Sequence, residues 1–487
     1  MYKVPDKFYA RLHHPRPRFK NDIESVLLFM ASEVCALGEQ PDNEFHNSLF
    51  EAIRHYPGNY SRKKKTLDNW RTEISSLLGL IEYTDHDSCK PSALAKALDS
   101  NQDLLQFFRY FCFKFQYPGG HLKPHEAAHL IMAGVRFKPA KYIISTLQAG
   151  RELEEGSFGI SKAEATHCIF NDLRVTRDGK SSSQIAKLII DNRASKVDYD
   201  RKGDTVRYAG DILDYMVLAN ILSYKPNGLY YLKTHEPELL EAFTSSNDYF
   251  TGYDHLYKIP QVSALAVREC NNAWFQYVNE GINPELFQAD ISDLLSQEEG
   301  LDLHKVGFEK DSETGSVEPS DSEILTSAIN YLDSKRDSSG KLKTKDIGDV
   351  GEAIIIQHEK VRLTELGRKD LASKVVKYPE SLSAGFDIKS YEGLGEINKF
   401  IEVKTTVSKN RLTILRFKMT PNEWGSAETH RNSYYVFRLM ITNGKLTLFV
   451  LKDPVGLYKQ EKINIIPRHG VDITYNEQSG QYEKVLI

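Results

Sequence analysis

Two carboxylates and a lysine stand close together in the stretch SAGFDIKSYEGLGEINKFIEVKTT, residues 383–406: Asp387, then Glu402, then Lys404. A Gly-rich turn, GLGE, separates two β-rich runs, which predicts an antiparallel pair. Along the second run, side-chain alternation puts Phe400, Glu402 and Lys404 on one face and Ile401, Val403 and Thr405 on the other. Glu402 and Lys404 then point the same way, roughly 7 Å apart along the strand; if the hairpin brings Asp387 alongside, its carboxylate joins that face. Carboxylate oxygens in such a group suit Mg²⁺, which keeps positions for water and a phosphate oxygen. A metal held there helps generate hydroxide and neutralises charge building on a phosphate. Lys404 would orient the attacking water or stabilise the transition-state oxygens. The plainer reading is a surface ion pair worth ~0–1 kcal/mol, which Glu and Lys two apart on a strand often form. Asp, turn, Glu-x-Lys strand and an upstream helix glutamate in one short region make a more specific pattern than the pair alone.

The elements that must position these groups begin with KTKDIGDVGEAIIIQHEKVRLTELG, residues 343–367. Ile347, Val350, Ile354, His358 and Val361 or Arg362 follow a helical period, and Gly367 sits where a C-cap glycine belongs. Gly348 and Gly351 each cost about 1 kcal/mol in a helix interior relative to Ala. They are expected where the helix packs closely on a sheet or approaches a ligand, and Glu352 follows directly.

Upstream, helical patterns alternate with brief strand-like segments. TLDNWRTEISSLLGLIEY places Leu67, Trp70, Ile74, Leu77, Leu78 and Ile81 on one helical stripe that ends in a strand-like LIEY. A second unit runs from KYIISTLQAG through FGISKAEATHCIFNDLRV, where Ser161 and Glu164 form a capping box. A third, AGDILDYMVLANILSYKPNGLYYLKT, is a helix followed by a hairpin turning at Asn227-Gly228. Helices closed by a small hairpin are the winged-helix pattern, which lays a helix in the major groove. Such units also serve packing or protein contacts alone. The aromatic run FFRYFCFKFQYPGG is expected in the core rather than as a base-stacking platform.

With 487 residues the chain has room for two to four domains. No run approaches the roughly 18 apolar residues of a membrane span, and the N-terminus lacks the apolar region of a secretory signal. Cys35, Cys89, Cys112, Cys168 and Cys270 lie far apart without a CxxC pair. That spacing fits a reducing cytoplasm and argues against a disulfide framework and a structural zinc site. The net charge of −4 hides an asymmetry: 285–323 carries twelve acidic residues against two lysines, a local −10 that leaves +6 elsewhere. The acidic, Ser/Gly-rich segment 308–323 is expected to be a solvated linker, and the mildly basic remainder keeps DNA open as a partner.

The region from about Lys343 to Pro454 resembles the C-terminal domain of the plant protein NO VEIN, found in many bacterial proteins too. DIGDVGE, HEKVRLTELGRKDLASKVV, AGFDIKS and FIEVKTT carry the resemblance, with MTPNEW and SYYVFRL matching more loosely. That family is similar to the PD-(D/E)XK nucleases, whose fold is a mixed sheet flanked by helices. The resemblance implies that Asp387, Glu402 and Lys404 are the core triad, with Glu352 the helix carboxylate and Asp387, Glu402 and Glu352 the metal ligands. Phe386, not proline, precedes Asp387, a departure the superfamily often makes. Glu423 is expected to begin a second helix and is given no catalytic role. NWRTEISSLLGLIE, FKFQYP and GISKAEA resemble the specificity portions of some restriction endonucleases, built from successive winged-helix units.

The expected architecture is α+β and multidomain. Residues 1–135 and 136–300 form helical, winged-helix DNA-recognition subdomains, 301–342 an acidic linker and connecting helix, and 343–487 the nuclease-like domain. The expected activity is Mg²⁺-dependent double-strand DNA cleavage by a type II restriction endonuclease, with Mn²⁺ able to substitute. The alternatives are a modification-dependent or other anti-phage nuclease, and a DNA-binding defence protein whose nuclease-like domain does not cut. Arg62, Lys63, Lys64, Lys65, Arg71, Lys162, Arg174 and Arg177 are the expected DNA contacts. A homodimer when cleaving, a DNA methyltransferase encoded nearby and a cytoplasmic location complete the expectation.

Overall fold

The computed structural model describes residues 1–12, 23–56, 59, 67–68, 70–71, 73–84, 87–201, 205–281, 287–288, 347–379, 384–393, 396–410, 415–467 and 470–487. The basic run Arg62–Lys65 and the acidic linker lie outside them. The chain divides into two units, Met1–Asp99 with Leu104–Phe287, and Ser100–Asp103 with Gln288–Ile487. No helix among the described residues is long and apolar enough to cross a membrane.

The first unit is mainly helical. α1 (Ile23–Leu37) and α2 (Asp42–His55) accompany a small antiparallel sheet of β1 (Gln40–Pro41), β2 (Ile81–Tyr83) and β3 (Ser88–Pro91), in the order β1-β3-β2. Leu67, Trp70, Ile74, Leu77, Leu78 and Ile81 are all buried, as their stripe predicts. The helix is wider than expected where it ends, since Glu73–Leu77 winds as a π-helix before β2 begins. α3 (Leu104–Lys114) buries nearly all of the aromatic run, so those rings are core and not a platform for bases.

A second helical group contains α4 (Pro139–Leu153), α5 (Ser182–Ala194) and α6 (Thr205–Leu218). Its sheet joins β4 (Gly159–Ile160), β5 (Leu222–Tyr224) and β6 (Tyr230–Leu232) in the order β4-β6-β5. The hairpin turns at Asn227-Gly228 as its residue types require, Gly228 taking φ +79° and its N–H donating to Lys225 O at 2.9 Å. The capping box is present: Ser161 Oγ accepts from Glu164 N at 3.2 Å, and Glu164 Oε2 accepts from Ser161 N at 2.8 Å.

The second unit is built on a mixed six-stranded sheet. α7 (Ile347–Glu365) precedes β7 (Val376–Lys377), β8 (Ile388–Tyr391) and β9 (Asn398–Val407). β10 (Leu415–Met419) and α8 (Pro421–His430) follow, then β11 (Tyr434–Thr442) and β12 (Lys445–Lys452). β13 (Asn464–Pro467), β14 (Val471–Tyr475) and β15 (Gln481–Glu483) complete it. The main sheet runs β15-β12-β11-β9-β8-β7, antiparallel except where β9 and β11 lie parallel. β10, β14 and β13 form a separate antiparallel sheet. Parallel strands need a long crossover, and here that crossover carries β10 and α8.

The two faces of β9 meet different neighbours. Gly351 of α7 packs so closely on the sheet that a Cβ there would lie 1.8 Å from Thr405 Oγ1. Gly348 has nothing within 4 Å of such an atom, so of the two glycines only Gly351 serves close packing. α7 ends as predicted, with Gly367 at φ +75° and Arg368 N donating to Leu363 O at 2.8 Å. On the opposite face, Phe400 packs with Phe386 and Trp424 against a core of Phe417, Met419, Ala427, Tyr434, Val436 and Phe449.

Candidate active site

The β8–β9 pair is antiparallel, Ile388 opposite Ile401, as the turn between them predicts. Asp387 lies one residue before β8, in the extended entry to it. Its N–H donates to Ile401 O at 2.9 Å, and its carbonyl accepts from Tyr378 N at 2.7 Å. The chain reaches this position through Gly385, which takes φ +71°. A Cβ on Gly385 would stand 2.5 Å from Asn422 O of α8, so the approach demands glycine twice over. Tyr434 donates from its hydroxyl to Gly385 O at 2.8 Å, fixing the bend to β11. Phe386 packs among Tyr378, Phe400 and His430 and so anchors the residue that precedes Asp387.

From this entry the Asp387 carboxylate turns toward β9, where Oδ2 accepts from Val403 N at 2.7 Å. Glu402 and Lys404 share a face, as alternation predicts, and their side chains meet: Lys404 Nζ is 2.8 Å from Glu402 Oε1. A third carboxylate joins them, since Lys404 Nζ also lies 2.8 Å from Glu423 Oε2. Glu423 is the third residue of α8. Thr420 caps that helix, accepting from Glu423 N at 3.3 Å, while Glu423 Oε2 accepts from Thr420 N at 3.1 Å. The Thr-Pro-Asn-Glu spacing forms a capping box, consistent with the expectation that Glu423 begins a second helix. Nothing local marks Glu423 as a partner of Lys404, because the crossover between β9 and β11 brings it there.

Glu352 is placed differently. It comes from α7, and its direct partner is Lys377 of β7, with Nζ 2.8 Å from Glu352 Oε2. Lys377 also pairs with Asp349. Lys377 lies in a two-residue strand with no periodicity to announce it, and sequence reasoning missed it. Glu352 and Lys377 are both close enough to Asp387 to act on its charge or feel it.

The electrostatics of the group are unusual in one direction. Burial raises the Asp387 carboxyl above its ordinary range, against the Val403 amide and Lys404. Glu402 is raised further: burial dominates, Lys404 opposes it, and Asp387 and Glu423 add like charge. Burial likewise lifts Glu352 to about 6, with Lys377 opposing. Lys404 is held above its usual range by Glu402 and Glu423 in spite of burial. Carboxylates thus crowd one ammonium beyond neutrality, in an all-oxygen donor set of the kind hard cations take. Glu402 keeps 6% of its side-chain surface exposed while Lys404 and Glu423 keep 21% and 15%, so the cluster has a buried floor and an accessible rim.

Four of the expected DNA contacts lie among the described residues. Lys162 pairs with buried Asp214 at 3.1 Å, and Arg174 pairs with buried Asp172 at 2.6 Å. Arg177 pairs with its neighbour Asp178 on the surface, and Arg71 stands near His46 and Tyr83.

Comparison with known proteins bears on both units. The family model described as "Restriction endonuclease BpuJI - N terminal" matches residues 2–275, and "Protein NO VEIN, C-terminal" matches residues 351–451. Among solved structures, the BpuJ1 endonuclease binding domain, determined in complex with pyrene- and phenanthrene-modified DNA, is similar at 22% identity and a TM-score of 0.50. The match covers 57% of this chain and 100% of that one, and at such identity it speaks to fold. No curated protein matches the chain. With more than half of its length matched by the first model, and the NO VEIN C-terminal model following it, the chain belongs to the restriction endonuclease BpuJI N-terminal family.

Proposed function

We propose that this protein is a type II restriction endonuclease, hydrolysing phosphodiester bonds of double-stranded DNA in the second unit at a site addressed by the first. The observation that carries the reading is the cluster of Asp387, Glu402 and Glu423 around Lys404, on a mixed sheet and joined to a chain of the BpuJI N-terminal family. The similar binding domain was solved on DNA, which supports DNA as the ligand of the first unit, read through winged-helix elements. The second unit is then a PD-(D/E)XK domain in which Asp387 and Glu402, with Glu352 from α7, hold Mg²⁺ or Mn²⁺. When bound, that ion supplies Lewis acidity and a nucleophilic water.

The chain's own groups supply the rest. Asp387 is aimed by the Val403 amide, which leaves its second oxygen as a donor. Glu402 lies at the buried floor, where charge is most costly without a cation to offset it. Lys404 is held charged, so its ammonium serves the charge that develops on phosphate oxygens in the transition state. Glu423 keeps the ammonium on the accessible side of Glu402. Cutting both strands takes two such sites, so a second copy of the chain joins at least during cleavage. A methyltransferase encoded nearby would protect host DNA.

Incubating the protein with plasmid and phage DNA in Mg²⁺, then sequencing the ends, tests this reading. Defined ends that vanish with EDTA and in Lys404→Ala support it. DNA retention in a band-shift with no metal-dependent cleavage across methylated and unmethylated substrates would sink it in favour of a binding protein.

A further inference from the structure

Asp42, His46 and Cys89 meet in the first unit, far in sequence from the residues considered above. Asp42 opens α2, His46 follows one turn later on the same face, and Cys89 lies in β3 opposite Gln40. His46 Nε2 is 3.0 Å from Asp42 Oδ1, and Cys89 Sγ donates to the same oxygen at 3.2 Å. One donor atom from each of the three residues lies within 4.8 Å of the others. Among the described residues this is where such a mixed set of nitrogen, sulfur and oxygen donors gathers. Tyr83 of β2 closes one side, its hydroxyl 3.1 Å from His46 Nε2.

We propose that Asp42, His46 and Cys89 form a site for one divalent transition-metal ion of the zinc class. Two protons now hold the three donors together, one on the thiol and one on the imidazole, both directed at a single carboxylate oxygen. A dication at the same focus displaces the thiol proton to solvent, while the imidazole keeps its proton by moving it to Nδ1, so that carboxylate, thiolate and neutral imidazole bring a formal charge of −2. The donor softness selects zinc, cobalt or nickel over magnesium or calcium, and three protein ligands leave a fourth position for water or Tyr83. Helix spacing of i and i+4 is suited to two ligands of one ion, and the third arrives from the sheet.

The environment favours the ligating forms unequally. Burial holds His46 below its ordinary range, with Asp42 opposing and Arg71 adding to the effect, so the ring is neutral and ready to coordinate. Burial, with Asp42, pushes the Cys89 thiol up to about 12, so the metal-free site keeps its thiol proton and uptake releases it. Arg71 is a cationic group that acts on the cluster, and its charge opposes a dication there, against the formal −2 of the three ligands. Asp42 does not cap α2, whose N-cap is Pro41 with no side-chain cap hydrogen bond. Helix capping therefore does not account for the convergence of a thiol and an imidazole on its carboxylate. The ion would pin α2 to β3 and so fix the small sheet on its helices. Cysteine spacing in the chain carried no pointer to this, because the ligands come from a helix and a strand 43 residues apart.

Cobalt titration of the full-length, chelator-treated protein tests the site. One equivalent of Co²⁺ per chain is expected, with the visible bands of four-coordinate cobalt and a thiolate-to-cobalt charge-transfer band, both erased by Zn²⁺. Cys89→Ser should abolish the charge-transfer band, and His46→Gln should weaken binding by about tenfold or more, with Cys112→Ser as the unaffected control. Should Cys89→Ser fail to fold by circular dichroism, the affinity of His46→Gln for Co²⁺ decides by itself. Cobalt uptake that lacks the charge-transfer band, or that is equal in wild type and His46→Gln, overturns the proposal and leaves a hydrogen-bonded trio.

Discussion

Two buried charge clusters lie on the same six-stranded sheet of the second unit, and they are built on opposite plans. In one, Glu359 of α7 is surrounded by cations and donors: Arg362 bonds both its oxygens at 2.9 and 2.6 Å, Lys399 one at 3.0 Å, and Ser390 the other at 2.6 Å. Burial would raise Glu359, yet Lys399 and Arg362 outweigh it and bring the carboxyl down to about 2. In the other, Asp387, Glu402 and Glu423 crowd Lys404, and both Asp387 and Glu402 rise. The first cluster is satisfied and ties α7 to β8 and β9. The second is left short of positive charge in the folded protein, which is costly unless a further cation or a substrate enters. Satisfied and unsatisfied clusters of similar burial therefore distinguish a fastening from a site.

That distinction can be broken from either side. Lys404→Ala should slow cleavage by about three orders of magnitude, some 4 kcal/mol of barrier, with band-shift affinity retained. Loss of DNA binding in step with cleavage would place Lys404 among the fastenings. Glu359→Gln leaves Lys399 and Arg362 facing a neutral group and should cost about 3 kcal/mol or more in urea unfolding. A neutral effect would erase the difference between the clusters.

The same glutamate makes a prediction in pH. Its folded value near 2 lies below the unfolded value near 4.5, so its contribution of about 3 kcal/mol is present above pH 4.5 and lost as pH falls toward 2. Glu359→Gln should flatten that part of the acid unfolding profile; an unchanged profile would assign it elsewhere. Gly351→Ala drives a methyl group into Thr405 and should cost about 1–3 kcal/mol by thermal melting. Stability equal to wild type would mean that α7 can lift off β9 freely. The smallest effect is expected at Glu402→Gln, within about 1 kcal/mol of wild type or above it, because the native carboxylate is held in a form that resists ionising. A loss beyond about 2 kcal/mol would move Glu402 into the satisfied class.

The sequence made Asp387, Glu402 and Lys404 legible because alternation along one strand and one turn decides their relation. Glu402 and Lys404 did meet on one face, and the Ser161 box and the Asn227-Gly228 turn formed as their residue types require, each being local chemistry. Glu423 and Lys377 were not legible as neighbours. One rides a crossover that only the β9–β11 pairing positions, and the other sits in a strand too short to show a period. Glu359 escaped for the same reason, its partners Ser390 and Lys399 lying 31 and 40 residues away. Lys162 and Arg174 show the converse. Charge marked them as candidates for DNA, and what charge could not show is that the fold also pairs them with Asp214 and Asp172.

The parallel pairing of β9 with β11 also sets a schedule. During synthesis Asp387, Glu402 and Lys404 emerge before Glu423, and α8 has no fixed berth until Tyr434–Thr442 has been made and has docked beside β9. Non-local pairings of this kind are slow steps in folding. A nascent chain therefore carries its strand triad for some time without the second carboxylate that holds Lys404, and the cluster matures only when the sheet closes.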